Sequence, residues 1–400
     1  MKLIIHIGTE KTGTTSLQAW GEMNRQLLID DGVFYSKALG NKDHRKASVY
    51  SRLLGLRDDG FDRYNITDKK SHEDFCNQLE ISLAEEVKEA KNLGCRVFLV
   101  SSEHFHSRID NIAMVKRAKQ LFSPHFDDIE IIAYLRPQAD LFQSYLSVVI
   151  RNLSISREVI NNMWIKDVNY FDYFKLWDRW SSVFENVSFA PFNENKDIIK
   201  HVAKLLKINI NNYPVIKRVN EKLDYKVGVL NFNLNKYIKD NSLKKELFNF
   251  YVEKLPCIEP VQISRELASR ISGQYKQSNI EFCKSNKNFS INHLEVVTEN
   301  YPLVGTVDKM FDSNEFFDFM FPIMIRNYID IYILKCEKKL VEIERAFARK
   351  NIKNAQSFSV VLNQMLDELS EANFETPLLS HIPDQLYRLR NNLNKMDIGQ

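Results

Sequence analysis

Short, continuous apolar runs alternate with longer stretches of helical period through the first half of the chain. That order predicts a parallel β-sheet covered by helices on both faces. The expected strands are Leu3–Ile7, Val33–Ser36, Arg96–Ser101, Glu130–Leu135 and Val187–Ala190. Ile4-Ile5-His6-Ile7 and Ile131-Ile132-Ala133-Tyr134-Leu135 lack polar alternation, as strands buried on both faces do. Apolar residues at helical spacing predict helices over Thr14–Asp30, His72–Asn92, Asn111–Phe122, Asp140–Asn152 and Phe171–Phe184. After the helical stretch Ile198–Leu206 strand signals become sparse, and residues 209–290 are expected to pack helices back on the sheet. Glu315–Lys350 carries long amphipathic periodicity, and the remainder to Gln400 reads as helical and polar. The expected division is residues 1–295 and a helical extension over 296–400.

Four hundred residues, 44% of them apolar, suffice for a large core, and at ~150 residues per domain they suggest two or three units. The formal net charge is +3, with both signs spread along the chain, so no basic arm points to nucleic acid and any anion site must be local. The five cysteines are widely spaced, in no metal-ligand pattern, and read as reduced thiols. Residues 2–7 are too short for a signal segment, and no stretch approaches the ~20 apolar residues that cross a bilayer. The chain is therefore read as cytoplasmic, without a transmembrane segment. Low glycine and proline with abundant Asn, Lys and Ile fit an AT-rich bacterial genome.

The first strand runs into Gly8-Thr9-Glu10-Lys11-Thr12-Gly13-Thr14-Thr15-Ser16, and a helix follows. A strand, a loop and a helix N-terminus bring backbone N–H groups and the helix dipole to one anion. Gly8 and Gly13 allow close backbone approach, and Thr14 and Thr15 are expected to cap the helix and donate hydroxyls to the same oxygens. The spacing Gly-x4-Gly is that of a nucleotide phosphate loop, but Thr14 stands where a nucleoside triphosphatase has its lysine. The lysine is at Lys11, which disfavours ordinary triphosphate chemistry. At the end of the fourth strand, Arg136-Pro137 precedes a helix carrying Ser144 and Tyr145. There a guanidinium fork and a hydroxyl two turns away suit a terminal phosphate.

The segment from His6 to Gln18 resembles the 5'-phosphosulfate loop of the sulfotransferases that use 3'-phosphoadenosine 5'-phosphosulfate (PAPS), above all bacterial members and the heparan sulfate enzymes. Arg136-Pro137 with Ser144-Tyr145 resembles the 3'-phosphate motif of that family, in which a serine follows the arginine by eight residues. The resemblance implies a P-loop-like α/β domain in which Gly8, Thr9, Lys11, Thr12, Gly13, Thr14, Thr15 and Ser16 cradle the 5'-phosphosulfate. Lys11 stabilises the leaving group, and Arg136 and Ser144 bind the 3'-phosphate. Pro214–Glu221 is similar to a segment in which Lys217 and Arg218 close over the nucleotide. The product is PAP, and the family needs no metal. An Arg-Lys-Gly segment near the carboxyl end, a mark of the steroid and phenol enzymes, is missing.

Sulfuryl transfer needs a general base at the acceptor. His44, beyond the second strand and near the carboxyl edge if that strand lies beside the first, is one candidate. Glu103, in Ser101-Ser102-Glu103-His104, is the other. His104 and His106 alternate in a short extended run, with no third ligand to make a metal site. Aromatic segments such as Tyr170–Phe174 and Trp177–Trp180 are read as core. The resemblance implies an acceptor glycan, glycolipid or small molecule offering a hydroxyl or amine. A P-loop small-molecule kinase and a non-catalytic scaffold are the alternatives. Phe316, Phe317, Phe319, Met320, Ile323, Met324 and Tyr328 recur too densely for a solvated helix, so the C-terminal helices are expected to dock on the first domain or to pair two copies.

Overall fold

In the computed structural model of the chain, residues 1–151, 156–214, 223–237, 241–252, 257–310, 315–349, 352–370 and 382–395 are described. The chain forms two compact units. The first comprises Met1–Leu146, Asn161–Glu221 and Arg265–Leu303, and the second Ser147–Ile160, Lys222–Ser264 and Val304–Gln400.

All five expected strands form in the first unit: β1 Lys2–His6, β2 Val33–Tyr35, β3 Val97–Ser101, β4 Ile129–Leu135 and β5 Asn186–Pro191. They pair in parallel in the order β2-β3-β1-β4-β5, with Ile4 level with both Leu99 and Glu130. The chain moves to one side of β1 for β2 and β3 and to the other for β4 and β5. Such a reversal opens a crevice at the carboxyl ends of the central strands. The fold is thus α/β, a parallel sheet flanked by helices.

On one face Ile4, Leu99 and Ile132 are covered by Leu17 and Trp20 of the first helix and by Val202 and Leu206 from the helix that starts at Ile198. Each such side chain, buried to a few per cent, contributes about 1.5–3 kcal/mol. The helix expected over Thr14–Asp30 is two, Thr14–Met23 and Arg25–Asp30. At the break both the backbone N–H and the side-chain amide of Asn24 donate to the carbonyl oxygen of Trp20, at 3.1 and 2.8 Å. An asparagine that captures a carbonyl one turn back competes with the helical ladder and ends it.

β2 lies beside β3 and not beside β1, the pairing on which the placement of His44 was conditional. One further expectation is corrected. His104 and His106 open a helix, His104–Arg108, rather than an extended run. Of the helices expected to return to the sheet, Arg265–Ser285 does belong to the first unit and packs on the helix Tyr173–Ser181. The side-chain amides of Asn279 and Gln138 exchange hydrogen bonds at 2.7 and 3.0 Å, and Ser278 donates to Asp172 at 2.5 Å. Tyr225–Tyr237 and Asn241–Val252 instead belong to the second unit.

The described part of the second unit is built mainly from helices, among them Glu315–Ala348, Ile352–Ser370 and Ile382–Asn394. On the longest, Ile329, Ile333, Cys336, Leu340 and Ile343 are buried at alternating spacings of four and three, the stripe that packs helices side by side. The side chains of Phe316, Phe317, Phe319, Met320, Ile323, Met324 and Tyr328 lie outside the described residues. No helix among the described residues is long and apolar enough to cross a membrane.

Candidate functional site

The loop after β1 has three residues in the left-handed region: Gly8 at φ 111°, Lys11 at 63° and Gly13 at 88°. A side chain at Gly8 would meet the Glu10 nitrogen at 3.2 Å and His106 Cβ at 3.4 Å, so glycine is required there by space as well as by φ. The loop is pinned to β4: the backbone N–H and the hydroxyl of Thr9 both donate to the Tyr134 oxygen, and Tyr134 N–H donates to the Gly8 oxygen. The hydroxyls of Thr12 and Thr14 then donate to the Thr9 carbonyl at 2.7 and 3.2 Å.

These bonds correct the expected roles of the threonines. Gly13, not a threonine, occupies the N-cap position of the first helix, without a side-chain cap. The buried hydroxyls of Thr9, Thr12 and Thr14 brace the loop from inside. A phosphate there would meet backbone N–H groups of the helix start, which lack helical acceptors by position.

Beside the loop opens a cleft of about 680 Å³, lined by Lys11, Gly13 and Ser16 from the loop and by Arg136 and Ser144 from the end of β4 and the next helix. Pro137 starts that helix, its carbonyl accepting from Leu141 N–H at 2.9 Å. Arg136 donates from Nη1 to the Lys11 oxygen at 3.3 Å, lies over the Phe192 ring at 5.6 Å, and has Asp140 at 3.8 Å from Nη2. Its Nε is buried without a hydrogen-bond partner among the described residues. An orphaned guanidinium donor on a cleft with two further lysines, Lys196 and Lys200, is the donor set an anionic ligand needs.

Sequence reasoning missed the opposite wall of the cleft. Trp20, Ile198, Ile210 and Tyr213 form it, the two aromatic rings 5.2 Å apart. Trp20 was within reach of reasoning, since it stands one turn beyond Ser16 on the same helical face. Tyr213 was not, because its place depends on a hydroxyl bond to Asp31 at 2.7 Å, far away in sequence. Lys217 and Arg218 lie outside the described residues.

The two candidate bases have different surroundings. His44 is fully buried: its Nδ1 accepts from Ser101 N–H at 2.9 Å, which leaves the proton on Nε2 for the Ser36 oxygen at 2.9 Å. Burial pushes it down to about 4. With both nitrogens engaged it has no lone pair to offer an acceptor. His6 and His106 are likewise buried and pushed down by burial, to about 3 and about 4. Glu103, at the carboxyl end of β3, is only partly buried, and its Oε2 accepts from Gln18 at 2.5 Å. Burial raises its proton affinity above the usual carboxylate range, and the carboxylates of Glu10 and Asp43 add to the rise.

The loop after β1 therefore has the Arg136 cleft on its β4 side and Glu103 on its β3 side. Among known proteins, neither a family model nor a curated sequence matches the chain. A crystal structure of a sulfotransferase from Alicyclobacillus acidocaldarius is similar at 17% identity and a TM-score of 0.34, over 62% of this chain and 94% of that one. Similarity at that level leaves the function of this chain to its own site.

Proposed function

We propose that the first unit is a PAPS-dependent sulfotransferase, with a hydroxyl or amine of a glycan, glycolipid or small molecule as acceptor. One observation carries the reading. A loop with its lysine at Lys11 rather than at position 14 lies between a cationic cleft ending in Arg136 and Ser144 and, on the other side, a partly buried carboxylate, Glu103. An in-line transfer needs that order of nucleotide, transferred group and acceptor.

The cleft fits the nucleotide. Backbone N–H groups at the start of the first helix, with Ser16, would hold the 5'-phosphosulfate. Arg136, with its unpartnered Nε, and Ser144 would hold the 3'-phosphate, and the Trp20–Tyr213 wall offers an apolar face to the base. As the acceptor atom bonds to sulfur, the bond from sulfur to the bridging oxygen breaks, and the electron pair leaves with PAP. Lys11 would neutralise that oxygen. Glu103 would take the acceptor proton, since His44 has no free nitrogen.

A kinase reading is weaker because Thr14 stands in the place of the lysine and its hydroxyl is engaged with Thr9. Titration with PAP and with ATP, each with and without Mg²⁺, tests the proposal. Metal-independent PAP binding in the micromolar range or tighter, with transfer of radiolabelled sulfate to an acceptor, is expected. A preference for ATP with Mg²⁺ would reject it.

A further inference from the structure

Asp140 lies in the first turn of the helix Gln138–Arg151, four residues beyond Arg136, a spacing at which opposite charges on a helix meet. Here the pair stays open. Asp140 Oδ2 is 3.8 Å from Arg136 Nη2, well beyond the ~2.7–2.9 Å of a charge-assisted hydrogen bond, and the other carboxylate oxygen, Oδ1, accepts from the Tyr301 hydroxyl at 2.5 Å. Tyr301 is buried and fixed independently of that helix. Its N–H donates to the Thr298 oxygen at 3.0 Å, and the carbonyl of the next residue, Pro302, accepts from Arg265 N–H at 2.7 Å. Burial and the Asp140 carboxylate hold the Tyr301 phenol far above its ordinary value, so it keeps its proton and donates at any working pH. The rest of Arg136 is fixed as well: the Lys11 carbonyl takes Nη1, the Phe192 ring lies against the guanidinium at 5.6 Å, and the Arg136 carbonyl accepts from the Tyr173 hydroxyl at 2.6 Å.

We propose that Tyr301 is a positioning residue for anion binding in the cleft: it holds the Asp140 carboxylate back from Arg136 and so leaves the guanidinium open to a phosphate. This rests on the reading of Arg136 as the 3'-phosphate contact. An aspartate free to turn would close on Nη2, and an incoming phosphate would then have to break that ion pair before making its own. Held by Tyr301, the same carboxylate balances the charge of Arg136 without occupying its donors, and the buried Nε keeps no hydrogen-bond partner among the described residues. A binding group that is oriented in advance and still unpaired loses least when its ligand arrives.

The direct test needs no nucleotide. The ¹H–¹⁵N signal of the Arg136 side chain, assigned by its loss in Arg136→Lys, is followed by NMR in the unliganded protein. Tyr301→Phe, which keeps the buried ring and removes only the hydroxyl, should shift that signal as the carboxylate closes on the guanidinium. In Asp140→Asn, where no charge is left to close, adding Tyr301→Phe should leave it in place. The binding arm compares PAP with adenosine 5'-monophosphate, which lacks only the 3'-phosphate. Tyr301→Phe should weaken PAP by about three- to tenfold and the monophosphate by less than about twofold. In the Asp140→Asn background the loss should vanish, because two residues that act through one contact are not additive. An Arg136 signal unmoved by Tyr301→Phe, or moved as far in the Asp140→Asn background, overturns the proposal, as does an equal loss of both ligands. Because the NMR readout is independent of nucleotide, such a failure is separate from any failure of the protein to bind PAP.

Discussion

Arg136 Nη1 donates to the carbonyl oxygen of Lys11 at 3.3 Å, so the arginine that ends β4 also holds the turn of the loop that follows β1. The loop after β1 and the end of β4 are thereby one mechanical piece. Arg136→Ala should therefore weaken two ligands unequally. PAP would lose about 1.5–3 kcal/mol, the range for hydrogen bonds to a charged group, whereas adenosine 5'-phosphosulfate, lacking the 3'-phosphate, would lose only the ~0.5–1.5 kcal/mol of a slackened loop. Isothermal titration with both ligands checks this. Equal losses would remove the 3'-phosphate from Arg136.

Lys11 has positive φ at the turn and lines the cleft. If its charge acts chiefly on the departing oxygen, Lys11→Ala should lower kcat by about 10²-fold or more, the scale of one lost transition-state contact. PAP affinity should change by less than about tenfold. Steady-state kinetics beside PAP titration separate the two effects, and lost binding with intact turnover at saturation would make Lys11 a ground-state contact.

Much of this was legible because it is local. The strands of the sheet are unbroken apolar runs, and the loop with its displaced lysine and the Arg136-to-Ser144 spacing are contained in short segments. What was not legible depends on pairs far apart in the chain. Nothing near Thr14 says that its hydroxyl will turn to Thr9, which is itself fixed by Tyr134 on another strand. The role of His44 depended on strand order. With β3 between β1 and β2, its ring meets Ser101 N–H and is closed off.

That closed ring has a consequence for stability. His6, His44 and His106 have an ordinary value of 6.5 and are pushed down by burial to about 3, 4 and 4 in the folded chain. Between those values and 6.5 the unfolded chain binds more protons than the folded one. Stability is therefore full above pH 6.5 and falls as pH drops toward 4, by up to about 1.4 kcal/mol per pH unit for each histidine. Urea unfolding at a series of pH values should show this slope, and His44→Asn should reduce it. A flat profile from pH 6.5 to 4.5 would contradict the burial of these rings.

Shortening the chain should damage both units. A chain ending at Phe289 lacks Tyr301, whose hydroxyl donates to Asp140 at 2.5 Å beside Arg136. It also leaves the helix Asn241–Val252 without Ile352–Ser370, against which it packs. The expected outcome is a lower unfolding midpoint and aggregation, read by circular dichroism and size exclusion. A shortened chain as stable as the full one would show that these contacts are dispensable.

The acceptor proton has two candidate takers, of which the sequence alone favoured His44 over Glu103. Glu103→Gln keeps the shape and the partner Gln18 but removes the proton acceptor, so turnover should fall by ~10²–10⁴-fold, the usual contribution of a general base. PAP affinity should persist, because Glu103 stands on the side of the loop away from the Arg136 cleft. His44→Ala should instead cost stability, through two lost buried hydrogen bonds, while turnover per folded molecule stays within about tenfold. Activity should rise with pH through the titration of Glu103, which lies above the ordinary carboxylate value, because the base accepts a proton only when ionised. Should Glu103→Gln retain turnover while His44→Ala abolishes it with the fold intact, the acceptor proton goes to the histidine and the closed ring must open during catalysis.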